Sequence, residues 1–328
     1  MTGAFSLLSS FVPLLLSLAL TGCAPASSNT LPTTLEPETA QTEAVESQPS
    51  NEPSLGADTM NEISYTTPSG ETGYLYIPES VEQNPDEKVR MVLMMMCTGG
   101  EARSNAVACG WVDQALEKGI IVLAPNYNNY ATYSELDGIV SAVRYAIDTY
   151  PVDESRVYAT GFSNGGAVAV ALASEYPQLF AAISAYGWMV DMRGQDHAYD
   201  MPFQVIQGTR EYTYTTASGA MAIMEDEQRA IRSLFLMNEM IDESQQTDYD
   251  AAPYWGYPPD AQHSETPDGQ EWQFNDFYKS GYTAPFAQLV LIDGAQHQPN
   301  EHEAAVAWDF FQQFSRSADG AIVEAPRI

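Results

Sequence analysis

The stretch YATGFSNGGAVAVALA, residues 158–173, contains a strand pattern, a tight turn and the start of a helix pattern in immediate succession. Its first residues form a β-type run, and its last residues are small apolar side chains typical of a buried helix. The turn between them, residues 161–166, places one serine, Ser163, among three glycines. A strand that leads directly into a helix is the repeating unit of a parallel α/β sheet.

Alternating strand and helix patterns continue on both sides of this stretch. The folded part opens with a hairpin, residues 63–67 and 74–77. Buried strands are predicted at residues 90–96, 120–124, 156–160, 181–185, 203–206 and 287–292. One helix is predicted through Val107, with its end at Gly119, and a second is predicted to begin at a capping box at 134–137. Further helices are predicted at 165–175, around 221–240 and after Asn300. In the last of these, Phe310, Phe311 and Phe314 are predicted to face inward. Residues 249–282 are predicted to form an aromatic-rich loop. The whole pattern predicts a largely parallel sheet covered by helices on both faces.

Ser163 has the surroundings of a catalytic nucleophile. Gly161 and Gly165 flank it in the pattern Gly-x-Ser-x-Gly, which exposes a hydroxyl on a sharp strand-to-helix turn. A serine hydroxyl attacks a carbonyl only with the help of a base and of a group that orients that base. On turns of this kind the acid follows the serine along the chain, and the histidine comes last.

The chain has four histidines, and His297 suits the role of the base. His197 precedes the strand expected to carry the acid, His263 lies in the predicted aromatic loop, and His302 falls in the first turn of a predicted helix. His297 follows the last predicted strand and precedes the last helix, where a loop can bring its imidazole over Ser163. We therefore predict His297 as the base.

Glu211 is the predicted acid of the same site. It follows the strand at 203–206, after the run Gln-Gly-Thr-Arg, at the position where the acid of such a site is expected. The alternative interpretation is a surface carboxylate paired with Arg210. Asp191 and Asp200 are the replacement candidates.

Backbone amides are needed to stabilise the negative oxygen that forms when a serine attacks a carbonyl. The amide of Asn164 is the first predicted donor because it follows the nucleophile at the start of a helix. The second is expected from the turn after strand 90–96, from Cys97 or Thr98. A phosphate-binding loop at 161–166 is the competing interpretation, but the lysine and the spacing of a P-loop are missing.

With these residues in place, the chain resembles the α/β-hydrolase superfamily. It is most similar to secreted esterases of the polyhydroxybutyrate depolymerase and feruloyl or acetylxylan esterase group, carbohydrate esterase family one. The resemblance covers about residues 62–316 and rests on segments 110–127, 152–166, 207–209 and 308–311. It departs from the family at Met96-Cys97, where His-Gly is usual, at Arg210-Glu211, where Asp is usual, and at 294–299, where Gly-Gly-His-x-Trp-Pro is common.

The resemblance implies a fold and a function together. The fold would be an α/β-hydrolase, and the activity would be cleavage of carboxylic esters through an acyl-enzyme, with no metal or organic cofactor. Feruloyl, acetyl or similar esters on plant polysaccharide would be the substrates. The acyl group and the oligomeric state do not follow from the sequence, and three alternatives stay open: a polyhydroxyalkanoate depolymerase, a peptidase on the same fold, and a binding protein without catalysis.

The N-terminal 60 residues predict export rather than folding. Residues 1–23 contain a short apolar core that is followed by Leu-Thr-Gly-Cys, a sequence that resembles a bacterial lipobox. We therefore predict a cleaved signal peptide and a lipid on Cys23. Residues 24–60 are rich in Pro, Ser, Thr and Glu and are predicted to be a disordered tether. The catalytic domain is then residues 61–328, held at the bacterial cell surface by a membrane anchor.

The charge of the chain limits its partners. With 44 acidic and 13 basic residues, the formal net charge is −31. Such a surface repels nucleic acid and favours a neutral or cationic substrate. Besides Cys23, only Cys97 and Cys109 remain. The sequence leaves a disulfide between them undecided, and two cysteines give no metal-site spacing, so no metal is predicted.

Overall fold

The computed structural model describes residues 58–130, 132–190, 192 and 199–325. The predicted signal peptide, Cys23 and nearly all of the predicted tether lie outside these residues, as do Asp191 and His197. Met60, the last residue of the predicted tether, already begins the first strand. Within the described ranges no helix is both long enough and apolar enough to span a membrane.

The described residues form seven α-helices, two short 3-10 helices and fourteen strands. The helices are α1 (Glu79–Gln83), α2 (Ala102–Ala108), α3 (Trp111–Lys118), α4 (Leu136–Thr149), α5 (Asn164–Glu175), α6 (Glu225–Met237) and α7 (Glu303–Phe311). The strands are β1 (Met60–Thr66), β2 (Thr72–Pro78), β3 (Val89–Met95), β4 (Ile121–Pro125), β5 (Val152–Phe162), β6 (Ala182–Tyr186), β7 (Phe203–Gly208), β8 (Thr213–Thr215), β9 (Met221–Ile223), β10 (Ala261–Glu265), β11 (Trp272–Phe277), β12 (Ala287–Ile292), β13 (Phe314–Arg316) and β14 (Ile322–Glu324).

Ten of these strands form one sheet in the order β1-β2-β4-β3-β5-β6-β7-β12-β11-β10. The six central strands, from β4 to β12 in this order, are parallel. Strands β1, β2, β10 and β11 extend the two edges in antiparallel pairs. The predicted opening hairpin and the predicted buried parallel strands are thereby confirmed.

Apolar side chains fill the space between the sheet and the helices on both faces. One face packs against α4, α5 and α6, with Ile139, Val168 and Phe235 among the buried residues. The other face packs against α2, α3 and α7, with Trp111 and Phe311 buried. The predicted sheet with helices on both faces is therefore confirmed.

Two predicted features of the first helices are wrong. The helix predicted through Val107 is interrupted, because Gly110 adopts φ 79° between α2 and α3, and Val107 itself is exposed. The capping box predicted at 134–137 is misplaced: the N-cap residue of α4 is Glu135 rather than Ser134, and the Glu135 side chain makes no capping hydrogen bond. Both features depend on the exact point at which a helix begins, which is the least certain part of a sequence pattern.

Helix limits in the second half of the chain also differ from the prediction. The helix predicted around residues 221–240 is shorter, since its first residues form β9. The N-cap of α7 is His302, and Asn300 instead accepts a hydrogen bond from the His302 amide at 2.9 Å. Phe314 is buried as predicted, but it lies beyond the helix on β13.

The region predicted as an aromatic-rich loop contains two strands of the main sheet. Trp272, Phe274 and Phe277 lie on β11 and are buried. The alternation of Trp272 and Phe274 with polar residues is a strand pattern, which the surrounding Pro, Gly and Asp residues obscure. The neighbouring edge strand β10 is exposed and polar, and such a surface discourages pairing with a second sheet.

Candidate active site

Ser163 occupies a strained turn between β5 and α5. Its backbone angles are φ 57° and ψ −121°, which a residue with a side chain rarely adopts and which cost about 1–3 kcal/mol. The Ser163 amide donates a hydrogen bond to the carbonyl oxygen of Tyr186 on β6 at 2.7 Å. A Cβ atom on Gly165 would lie only 2.2 Å from the carbonyl oxygen of Met95, so the helix can start this close to β3 only with glycine there.

The structure brings Ser163, His297 and Glu211 together. His297 Nε2 lies 2.9 Å from Ser163 Oγ, and His297 Nδ1 lies 3.4 Å from Glu211 Oε2. The three residues follow β5, β12 and β7, which are parallel strands, so their carboxyl ends meet at the same edge of the sheet. The longer contact is common for catalytic groups before substrate binds.

The environment of Glu211 holds the imidazole in place. Burial raises the pKa of the Glu211 carboxyl, and the hydrogen bond and charge of His297 oppose that shift. The rings of Phe162 and Tyr212 flank the imidazole at centroid distances of 4.7 and 4.8 Å. A Cβ atom on Gly187, which has φ 74°, would lie 3.1 Å from both Glu211 Oε2 and His297 Nδ1, so the backbone packs directly against this pair.

One of the two predicted choices for the second oxyanion donor is wrong. The Cys97 amide donates a hydrogen bond to the side-chain oxygen of Asn105 at 3.0 Å, so it is not free to bind a substrate oxygen. Among the described residues, the amides of Thr98 and Asn164 donate to no protein acceptor. Thr98 and Asn164 therefore remain as the candidate oxyanion donors.

The sequence interpretation missed three residues that surround the site. Gly187 packs against the histidine and the acid, Asn105 binds the Cys97 amide, and Asn129 binds the turn that follows β3. Gly187 and Asn129 lie between elements and Asn105 lies on α2, and none of the three gives a periodic signal of its contacts. Their partners are 8 to 110 positions away along the chain, as for Asn105 and Cys97 or Gly187 and His297. None of these three residues lies in a segment that carries the family resemblance. Tyr127, two positions before Asn129, is the last residue of segment 110–127.

The other candidate residues lie elsewhere. Asp200 forms an ion pair with Lys279 at 2.5 Å, away from the histidine. His263 stacks on Phe274 at the sheet edge. Cys97 and Cys109 are both buried and form no disulfide, so the pairing that the sequence left undecided is absent. The described part of the chain contains no group of three or more side chains suited to bind a metal ion.

Another buried carboxyl, that of Glu303, lies next to β5, the strand that leads to Ser163. Glu303 at the start of α7 is fully buried, and its Oε1 lies 3.4 Å from the hydroxyl of Thr160 on β5. Its other oxygen has no partner. Burial raises the pKa of Glu303 to about 7, although the neighbouring Cys109 thiol and Thr160 hydroxyl favour the charged form.

We expect Glu303→Gln to flatten the pH dependence of stability. Folding raises the pKa of Glu303, so the folded state favours the protonated carboxyl. The contribution of Glu303 to the free energy of unfolding is therefore fully present below the unfolded pKa of 4.5 and is lost as pH rises through about 7. The free energy of unfolding of the wild type should therefore fall by about 3 kcal/mol between pH 4.5 and pH 8 from this group alone. Urea unfolding at several pH values measures this difference.

The control for this prediction is Glu301→Gln, the same change at an exposed residue two positions earlier. Glu301→Gln should keep the wild-type pH dependence. If Glu303→Gln and Glu301→Gln give parallel curves from pH 4.5 to pH 8, Glu303 does not take up a proton on folding.

Comparison with known proteins finds hydrolases that resemble this chain in sequence or in fold. The model of the prolyl oligopeptidase family matches residues 114–232. Feruloyl esterase B of Talaromyces funiculosus is 32% identical over 130 residues, which cover 35% of this chain and 36% of that protein. The poly(3-hydroxybutyrate) depolymerase of Ralstonia pickettii is 30% identical over 135 residues, 34% of this chain and 28% of that protein. The chain thus matches about a third of the length of these curated relatives.

A solved structure, an acetyl xylan esterase from Aspergillus awamori, matches more of the chain. It covers 77% of this chain and 99% of its own length, with a TM-score of 0.50 and 16% sequence identity. At that identity the match concerns the fold. The expected resemblance is confirmed: the chain has the α/β-hydrolase fold and is similar in sequence to a feruloyl esterase and a poly(3-hydroxybutyrate) depolymerase.

Proposed function

We propose that this protein is a serine hydrolase that cleaves carboxylic esters. Ser163 is the nucleophile, His297 the general base and Glu211 the acid that orients the base. The observation that carries this proposal is the 2.9 Å contact between Ser163 Oγ and His297 Nε2 on a strained turn. The similarity to a feruloyl esterase and a poly(3-hydroxybutyrate) depolymerase supports the same chemistry.

In the first half of the reaction, the Ser163 oxygen attacks the ester carbonyl carbon while His297 Nε2 takes the hydroxyl proton. Glu211 stabilises the imidazolium that forms, through its contact with Nδ1. Solvent screens this interaction little because the Glu211 side chain is buried. The imidazolium then gives its proton to the leaving alcohol, and the acyl group stays on Ser163.

The amides of Thr98 and Asn164 stabilise the negative oxygen in both halves of the reaction. In known enzymes one such donor lowers the activation free energy by about 3–4 kcal/mol. In the second half, His297 removes a proton from water, and the resulting hydroxide attacks the acyl carbon. The bond between the acyl carbon and the Ser163 oxygen then breaks, His297 gives its proton to that oxygen, and the carboxylic acid leaves.

Feruloyl or acetyl esters carried by polysaccharide are the proposed substrates. The names of the related feruloyl esterase and of the acetyl xylan esterase with the same fold support this class. A net charge of −31 suits an uncharged polymer. The rings of Trp188 and Tyr212, which meet edge-to-face next to His297, offer a stacking surface for an aromatic acyl group.

The test is a panel of esters given to the full chain: p-nitrophenyl acetate, methyl ferulate, acetylated xylan and poly(3-hydroxybutyrate). We expect turnover of the small acetyl or feruloyl esters and of acetylated xylan. Turnover of the hydroxybutyrate polymer alone would instead assign a depolymerase. If no ester is cleaved and a fluorophosphonate probe leaves the protein unlabelled, the proposed function is wrong.

A peptidase is the second candidate because the prolyl oligopeptidase family model matches residues 114–232, which include the Ser163 turn. The match includes Glu211 but ends before His297, so it does not extend over the whole site. A p-nitrophenyl ester and a p-nitroanilide with the same acyl group separate the two activities. A higher kcat/KM for the anilide would favour the peptidase.

A further inference from the structure

The segment that follows β4 contacts the turn that carries Thr98 and the side chain of Asn164. We call Tyr127, Asn129 and Thr132 together the brace segment. The segment lies beside two loops that are distant from it in sequence: the turn 96–100 after β3, and the start of α5 after Ser163. Thr98 belongs to the first of these loops and Asn164 to the second.

Asn129 connects the brace segment to the turn 96–100 through three hydrogen bonds. Its side-chain Nδ2 donates to the carbonyl oxygens of Cys97 at 2.7 Å and Gly100 at 3.1 Å. Its Oδ1 accepts a hydrogen bond from the Gly99 amide at 3.2 Å. One buried side chain therefore binds the residues on both sides of Thr98.

Two further contacts extend this arrangement. The Tyr127 hydroxyl donates to the carbonyl oxygen of Met96 at 2.8 Å, which holds the beginning of the same turn. At the other end of the segment, Thr132 Oγ1 accepts a hydrogen bond from Asn164 Nδ2 at 2.9 Å. The brace segment therefore binds the loops that carry Thr98 and Asn164 at the same time.

We propose that Asn129 is a positioning residue that sets the distance between the two oxyanion donors. The proposal rests on the proposed function, since it assigns Thr98 and Asn164 to the same negative oxygen. The side chain satisfies the backbone groups next to Thr98 and leaves the Thr98 amide as the free donor of the turn. A backbone donor that moves by about 1 Å loses much of its effect, and such a shift costs about 100-fold in rate.

The decisive variant is Asn129→Asp, which keeps the size of the side chain and the acceptor for Gly99. It replaces the Nδ2 donor with an oxygen that faces two carbonyl oxygens. The matched control is Asn128→Asp at the exposed neighbouring residue, whose Oδ1 accepts from the Tyr130 amide at 3.2 Å, a contact that aspartate retains. Both variants add one negative charge at nearly the same place.

For Asn129→Asp we expect kcat for p-nitrophenyl acetate to fall about 10- to 100-fold, since loss of one oxyanion donor costs about 100- to 1,000-fold and here the donor is displaced. KM should change less than about twofold, because the oxyanion interaction forms in the transition state. The inhibition constant for a phenylboronic acid, which forms a tetrahedral adduct on the serine, should rise by a similar factor to the fall in kcat. Asn128→Asp should match the wild type in all three measurements.

The outcomes separate the two proposals. A wild type that cleaves no ester and takes up no fluorophosphonate overturns the proposed function. An active wild type with equal kcat in Asn129→Asp and Asn128→Asp overturns the role of Asn129, as does a fall in kcat without any weakening of boronic acid binding. If Asn129→Asp does not fold, Asn129→Ser replaces it, because serine removes the Nδ2 donor without adding a charge. Asn129→Ser should lower kcat at least about threefold with KM unchanged; an unchanged kcat overturns the proposal.

Discussion

Replacement of Ser163 by alanine is expected to lower kcat for ester hydrolysis by about four to six orders of magnitude. Alanine keeps the turn and the neighbouring amides but removes the oxygen that lies 2.9 Å from His297 Nε2. Without that oxygen, no acyl-enzyme can form, and only the slow direct attack of water remains. Initial rates with p-nitrophenyl acetate, under conditions that exclude background hydrolysis, measure the loss.

The control for this prediction is Ser218→Ala, the same change at an exposed serine whose hydroxyl donates to Asp250 at 2.6 Å. Ser218→Ala should keep the wild-type rate. A Ser163→Ala variant that folds normally and retains more than about a hundredth of the wild-type kcat would assign the nucleophile to another residue.

Replacement of Gly165 by alanine is expected to prevent folding or to lower the free energy of unfolding by at least about 3 kcal/mol. The new Cβ would lie 2.2 Å from the carbonyl oxygen of Met95 and 2.7 Å from its carbonyl carbon. These are backbone atoms of β3, a central strand bonded on both sides, so neither can move away at low cost. Urea unfolding followed by circular dichroism measures the change.

Gly138 provides the matched control within α4. A Cβ there would meet its nearest atom, in the side chain of Glu71, at 3.5 Å, which is an ordinary contact. Gly138→Ala should therefore stabilise the protein by about 0.5–1 kcal/mol, because alanine favours a helix interior over glycine. Equal stability of the two variants would mean that α5 does not begin as close to β3 as the structure places it.

The local pattern around Ser163 predicted more of this protein than any other segment. Gly165 is required by the close approach of α5 to β3, and Gly161 by the close approach of the Gly165 backbone, so the two glycines of the motif each answer a steric constraint. His297 and Glu211 were also predictable as neighbours of Ser163, since both follow parallel strands whose carboxyl ends share one edge of the sheet. Strand order along the chain carried this information.

Other features depend on contacts that no local pattern records. The sequence predicts the Cys97 amide as a candidate oxyanion donor, but the distant Asn105 side chain accepts its hydrogen bond. Strands β10 and β11 were interpreted as loop because turn-forming residues surround their short alternating pattern. The local sequence around Glu303 is that of an ordinary acidic residue in the first turn of a helix, yet the packing of α7 buries Glu303 completely.

The most direct test of the convergence of Ser163, His297 and Glu211 is to map where a fluorophosphonate attaches to the wild-type protein. The probe should form one covalent adduct per chain, and peptide mass spectrometry should locate it on the Ser163 hydroxyl. The rate of labelling should fall at least about 100-fold in His297→Gln, because the base that activates the serine is lost. An adduct on any other residue, or labelling of Ser163 at an unchanged rate in His297→Gln, would contradict a nucleophile activated by this histidine.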